Sequence, residues 1–218
     1  MRLYLTTTPN KQKVPFNYQE KLTGAIHKWL GRNEYHEGTS LFSFSQLKNG
    51  QAKGKGLEFQ NGAQWFISAW EDEFIKQIIK GIRENPDIAY GMKVKDVVIQ
   101  ETPNFEKIEK FNAASPIFIK RTEGNKQQYY YHTDEKADGL LVETLNTKMK
   151  KAGLEDETLE IKFDRNYPNS KIKMVEYNGI KIRASVCPVF IHAKPQTKAF
   201  AWNVGLGNNT GIGFGAII

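Results

Sequence analysis

The chain has 218 residues, with 31 Lys and Arg against 24 Asp and Glu, so its formal net charge is +7 and its pI about 9.3. This length fits one large or two small domains, and the basic balance favours a polyanionic partner over a neutral metabolite. Cys187, the only cysteine, lies in the apolar run 186–191; disulfides, zinc ribbons and thiol redox pairs are excluded, and a buried, inert thiol is expected. No run approaches the ~20 apolar residues of a membrane span, and residues 1–8 are too polar for a signal peptide, so a cytoplasmic protein without a membrane partner is expected.

Residues 2–8 alternate Leu3 and Leu5 with polar neighbours, the pattern of a strand with one buried face. Asn17 is then expected to cap a helix whose Tyr18, Leu22, Ala25, Ile26 and Trp29 form one stripe. Residues 41–47 and 62–70 read as strands. A second helix from Asp72 turns Phe74, Ile75, Ile78, Ile79 and Ile82 inward and ends near Asn85-Pro86, and residues 94–100 form a fourth strand. The order β-α-β-β-α-β is the ferredoxin-like, or RRM-like, unit.

The pattern recurs. Residues 114–119 read as a strand, and residues 137–152 as a helix aligning Leu141, Leu145 and Met149. Residues 159–163 and the alternating stretch 172–191 supply central strands, with a turn at Asn178-Gly179. Residues 196–203 suggest a short helix and residues 214–218 a last strand. The expected fold is therefore α+β, two tandem ferredoxin-like domains spanning 1–111 and 112–218, with a glycine-rich loop in the second.

That loop, residues 205–218, reads Gly-Leu-Gly-Asn-Asn-Thr-Gly-Ile-Gly-Phe-Gly-Ala-Ile-Ile. Glycines let backbone amides approach a phosphate or another chain closely. A dinucleotide fingerprint would continue into a helix, whereas here a strand-like segment follows. Residues 158–218 carry eight basic residues against three acidic ones, which is +5 of the total +7, beside the glycines. Lys48, Lys53 and Lys55 cluster in a hairpin connection that falls one residue short of a phosphate loop and has Gly56 in place of its hydroxyl residue. They read as a solvated turn or as mobile phosphate contacts. Tyr129, Tyr130 and Tyr131 could stack on bases, although such clusters more often serve packing, and the RNP1 pattern is missing. The histidines, His27, His36, His132 and His192, match no zinc spacing. On helical geometry His27 faces away from its own domain's stripe, and His36 lies in a polar connection before the second strand. By position alone both read as surface residues.

Residues 14–19, the His36 connection leading into residues 41–45, Ser115-Pro116 and above all the Gly205–Gly207…Gly213-Phe-Gly215 tail together resemble one family over the whole chain. It is the sixth of the Cas families, in the RAMP superfamily: the CRISPR-associated endoribonuclease that cuts precursor CRISPR RNA within its repeats. The resemblance implies metal-independent cleavage by 2′-hydroxyl attack, leaving 2′,3′-cyclic phosphate and 5′-hydroxyl ends, with no cofactor. It implies His36 as the catalytic histidine and His27 as its acid or base partner. Gly205, Gly207, Gly211, Gly213 and Gly215 are then RNA-binding, along with Lys48, Lys171 and Lys173; Lys181 and Arg183 would extend the same groove. Ser40 stands where some members have a lysine, and Lys48 or Lys28 could replace its charge. The implied partner is CRISPR repeat RNA, with a multisubunit interference complex or a homodimer as further assemblies. A non-catalytic subunit that holds CRISPR RNA in a surveillance complex is the alternative.

Overall fold

The computed structural model describes residues 1–31, 39–107 and 109–218. β1 (Arg2–Thr7), α1 (Gln19–Leu30), β2 (Phe42–Phe44), β5 (Gln64–Ala69), α2 (Asp72–Glu84) and β6 (Val94–Gln100) follow the expected order, with a hairpin of β3 (Gln51–Lys53) and β4 (Gly56–Glu58) inserted. The sheet order β2-β5-β1-β6 is that of a ferredoxin-like unit. Leu3, Leu5, Trp65 and Ile67 of the strands are buried in one core with Leu22, Ile26 and Trp29 of α1 and Phe74, Ile75 and Ile78 of α2. The 3.6-residue spacing of these apolar positions holds both helices on the sheet. Asn17 does not cap α1. The cap position is Tyr18, already helical at φ −68°, and the Asn17 amide instead reaches Glu176 Oε1 at 3.2 Å.

The second unit repeats the topology with two insertions. β7 (Lys110–Phe111), α3 (Lys136–Lys151), β10 (Glu160–Phe163), β13 (Val189–His192) and α4 (Pro195–Val204) frame a sheet ordered β10-β13-β7. The terminal segment closes it, bridging Ile217 to Ala113. β8 (Ile119–Glu123) pairs with β9 (Lys126–Tyr130), and β11 (Lys171–Tyr177) pairs with β12 (Ile180–Val186) around Asn178 (φ 49°) and Gly179 (φ 74°). Three expectations need correction. The first strand of this sheet lies at Lys110–Phe111, not within 114–119, where Pro116 has no amide hydrogen for a ladder. Residues 214–218 make bridge contacts, not a full strand. Residues 171–186 form a separate ribbon instead of central strands, because residues 171–174 are all exposed and only Val175, Ala184 and Ser185 are buried, the first two against Phe118 and Phe214. Phe105 and Phe111, N-terminal to the expected division, already belong to the second core.

The two units are joined at the C-terminal end of α4. A helix leaves its last carbonyls without intrahelical donors. Here Trp202 O accepts from Arg2 Nη2 at 2.8 Å and Asn203 O from Ser43 Oγ at 3.1 Å, while Val204 O and Gly205 O both accept from Lys148 Nζ at 3.1 Å. Lys148, 3% exposed, places its third hydrogen bond on Thr210 Oγ1. Burial lowers its pKa to about 7, whereas three oxygen acceptors and the negative end of α4 favour the ammonium form. Arg2 is fully buried with its guanidinium between the Phe66 and Trp202 rings, 3.9 and 3.4 Å from their centroids. At the other end of α4, Asp156 accepts from Lys194 N at 2.9 Å and Thr197 Oγ1 at 2.6 Å. Burial alone would raise the Asp156 carboxyl, but hydrogen bonds from Thr197, Thr158 and the Lys194 amide outweigh it and hold its pKa at about 2.

Lys148→Met should therefore lower stability in urea unfolding by about 3 kcal/mol, since three oxygen acceptors are left dry. Asp156 titrates lower in the folded state than in the unfolded chain. Its contribution of about 2 kcal/mol is present above about pH 4 and disappears as pH falls toward 2, so the stability gap between wild type and Asp156→Asn should shrink over that window.

Candidate nucleic-acid interface

The glycine loop begins at the capped end of α4 and is wedged between the units. All five glycines are buried. A Cβ at Gly213 (φ 91°) would lie 2.6 Å from the Phe44 ring, one at Gly215 would overlap the Leu206 carbonyl oxygen, and one at Gly211 would overlap Ser40 Oγ. Gln19 Nε2 of α1 donates to Ile212 O at 2.9 Å and Gly213 O at 2.6 Å. These glycines are thus spent on close approach of protein to protein. The loop's accessible atoms belong to Asn208, Asn209 and Ile212, which are half-buried.

Two cavities meet at that tip, sharing Asn209 and Ile212. One, of about 510 Å³, lies toward α3 and is polar, lined by Thr39, Ser40, Arg121, Glu143 and Thr147 among others. Its Arg121 is committed to α3, donating to Leu140 O at 2.7 Å and Thr144 Oγ1 at 3.0 Å. At its rim Lys151 Nζ donates to Thr39 O at 2.9 Å. The other, of about 730 Å³, runs between the β8–β9 hairpin and the β11–β12 ribbon and combines Tyr129, Met174 and Ile180 with Lys120, Lys181 and Arg183.

His36 falls outside the described residues; the chain leaves at Gly31 and is described again from Thr39. His27 is half-buried in the last turn of α1. It shares an i, i+4, i+8 row with Thr23 and Gln19, so it lies on the face of α1 that borders the glycine loop. Lys48 is exposed and follows Leu47, whose amide donates to Tyr18 Oη at the start of α1, so the structure sets it apart from His27 in the last turn. Lys28 donates to Asn85 Oδ1 and Asp87 O, and burial lowers its pKa. Lys171 and Lys173 lie on β11 outside both cavities; Lys173 Nζ donates to Gln46 Oε1 at 2.8 Å, where burial and then Lys171 lower its pKa. Lys181 and Arg183 do line the larger cavity, and Lys120, Met174, Ile180 and Asn209 join them without having been singled out in the sequence. The signal of Met174 and Ile180 was present only as apolar residues in an alternating stretch, which reads equally well as a buried strand. Cys187 is buried and free, and burial raises its pKa, as expected of an unreactive thiol. Among the described residues no three His, Cys, Asp or Glu side chains are grouped to hold a metal ion, and no helix is long and apolar enough to cross a membrane.

A pair of ferredoxin-like units closed by a glycine wedge, with a polar cavity at the seam and a basic, partly apolar one beside it in the second unit, defines the class of protein. The family model described as "CRISPR associated protein Cas6, C-terminal" matches residues 99–217, more than half of the chain, and the chain belongs to the Cas6 family. A Pyrococcus furiosus protein described as a CRISPR-associated endoribonuclease-like protein Cas6 is 24% identical over 239 aligned residues, covering 100% of this chain and 98% of the relative. Two solved structures share the fold over 100% of this chain and 98% of theirs. One, described as "CRISPR associated protein Cas6", has a TM-score of 0.84 at 22% identity. The other, described as "An RAMP protein binding different RNA substrates", has a TM-score of 0.86 at 21% identity.

Gly215→Ala should cost about 3 kcal/mol in urea unfolding, because the clash is with backbone and φ is 69°. Gly139→Ala, at an exposed position of α3 with no atom within 4 Å of the added carbon, should instead be neutral or stabilise by up to about 1 kcal/mol.

Proposed function

We propose that this protein is an endoribonuclease that cleaves CRISPR repeat RNA without a metal ion, with His27 and His36 as its acid and base. One imidazole takes the proton of a 2′-hydroxyl, and the oxygen attacks the adjacent phosphorus. The bond from phosphorus to the 5′-oxygen breaks, and the second imidazole gives that oxygen a proton, leaving a 2′,3′-cyclic phosphate and a 5′-hydroxyl. Histidine suits both tasks because its ordinary pKa of about 6.5 is close to working pH. The observation that carries the reading is the position of His27, on the α1 row whose Gln19 is bonded to the glycine loop at Ile212 and Gly213. Membership of the Cas6 family supports the substrate class. For charge on the reacting phosphate, Lys151 fits better than Lys48 or Lys28, since its amine lies on Thr39 O, one residue from Ser40.

The second reading is a non-catalytic subunit that holds CRISPR RNA. Ser40 favours it, because it packs at Gly211 and brings no charge to the place where some members have a lysine.

Incubation with repeat RNA in excess chelator separates the two: cleavage with cyclic-phosphate ends upholds the first, tight binding without products the second. His27→Ala and His36→Ala should each slow cleavage by ~10²–10⁴ while leaving binding intact, and Lys151→Ala by a smaller factor. The rate should be bell-shaped between about pH 5 and 8, since one imidazole must be neutral and the other protonated. Undiminished cleavage by the His27→Ala, His36→Ala double variant would remove both histidines from the mechanism.

A further inference from the structure

The larger cavity carries a combination that packing alone does not require. Tyr129, Met174 and Ile180 are 48%, 57% and 65% exposed, yet they line one cavity. Scattered exposed apolar side chains are ordinary, but a cluster of them in a concavity marks a binding surface. Tyr129 is held in place: its ring stacks on buried Phe118 at 5.9 Å and 29°, Phe118 rests on Phe214 of the glycine loop at 5.4 Å, and Tyr129 Oη donates to Gln127 Oε1 at 3.1 Å. Lys120, Lys181 and Arg183 line the same space. An apolar, aromatic slot with cations beside it complements a flat uncharged ring tethered to phosphates.

Resting on the RNA-binding reading above, we propose that this slot takes an unpaired base of single-stranded RNA, stacked on Tyr129 and flanked by Met174 and Ile180, with its phosphates on Lys120, Lys181 and Arg183. The residues are separate from His27, so the slot acts on affinity and placement, not on the bond-breaking step. A double helix offers no such base, because its rings are stacked and paired inside; the slot therefore selects for a single-stranded segment. It also explains why the ribbon keeps Met174 and Ile180 in solvent.

The test uses the full chain carrying His27→Ala and His36→Ala, so that binding is read apart from cutting. Labelled probes of about twelve nucleotides, single-stranded oligo(A), a wholly abasic strand of equal length and a duplex RNA, are compared by fluorescence anisotropy over a salt series. Oligo(A) should bind about 10- to 100-fold more tightly than the abasic strand, and more tightly than the duplex. Tyr129→Ala and Ile180→Asp, both at exposed positions, should remove most of that preference. Lys181→Ala and Arg183→Ala should weaken oligo(A) and abasic probes alike and reduce the salt slope by about one each. Equal affinity for oligo(A) and the abasic strand, a preference that survives Tyr129→Ala, or no binding to any single strand would each overturn the slot. Cleavage of repeat RNA by the wild-type protein would still uphold the proposed function in every one of those cases.

Discussion

The end of α4 cannot be buried by either unit alone. Its terminal carbonyls at Trp202, Asn203, Val204 and Gly205 need donors, and these come from Arg2 on β1, Ser43 on β2 and Lys148 on α3. A buried carbonyl left unbonded costs about 1–3 kcal/mol, so the seam closes only when both units bring their donors. Asp156 completes the arrangement at the other end, placing a negative charge at the N-terminus of the helix and positive ones at its C-terminus, in the sense the peptide dipoles favour.

The glycine loop inherits its position from that seam. Gly205 turns away from the helix at φ 71°, and the loop then threads between Gln19, Phe44 and Phe118, where side chains on the loop itself would collide. Because Phe214 supports Phe118 and Phe118 supports Tyr129, the same packing that joins the units also fixes the aromatic floor of the larger cavity. Because Gln19 is tied to the loop, it also sets which face of α1, and hence His27, borders the seam. Packing and candidate chemistry are therefore one structure, linked through residues with no chemical role of their own.

The first unit was legible almost residue by residue. Its helices carry a 3.6-residue stripe and its strands alternate, and both are local patterns. The second unit was legible in its helices and in the Asn178-Gly179 turn, but not in the role of residues 171–186. Alternation along Ile172, Met174, Ile180 and Ile182 matches a central strand as well as a ribbon open on one side; Pro188 and the emergence of β13 beyond it decide the matter in three dimensions. The choice of Lys171 and Lys173 followed from proximity in sequence, whereas Lys120 comes from another hairpin altogether.

By itself the amino-acid sequence determined the element order, the repeated β-α-β-β-α-β plan, the basic character of the C-terminal part and the resemblance to the Cas6 family. Each of these depends on near neighbours, composition or motif. Tertiary structure alone decided what each exposed or apolar face meets. A strand's period of two says that its faces differ without naming their partners, and a glycine says that something comes close without saying what. Here what comes close to the glycines is the protein itself, the first unit at Gly211 and Gly213, Phe118 at Gly207 and the loop's own Leu206 at Gly215, and the two cavities open on either side of the loop's tip.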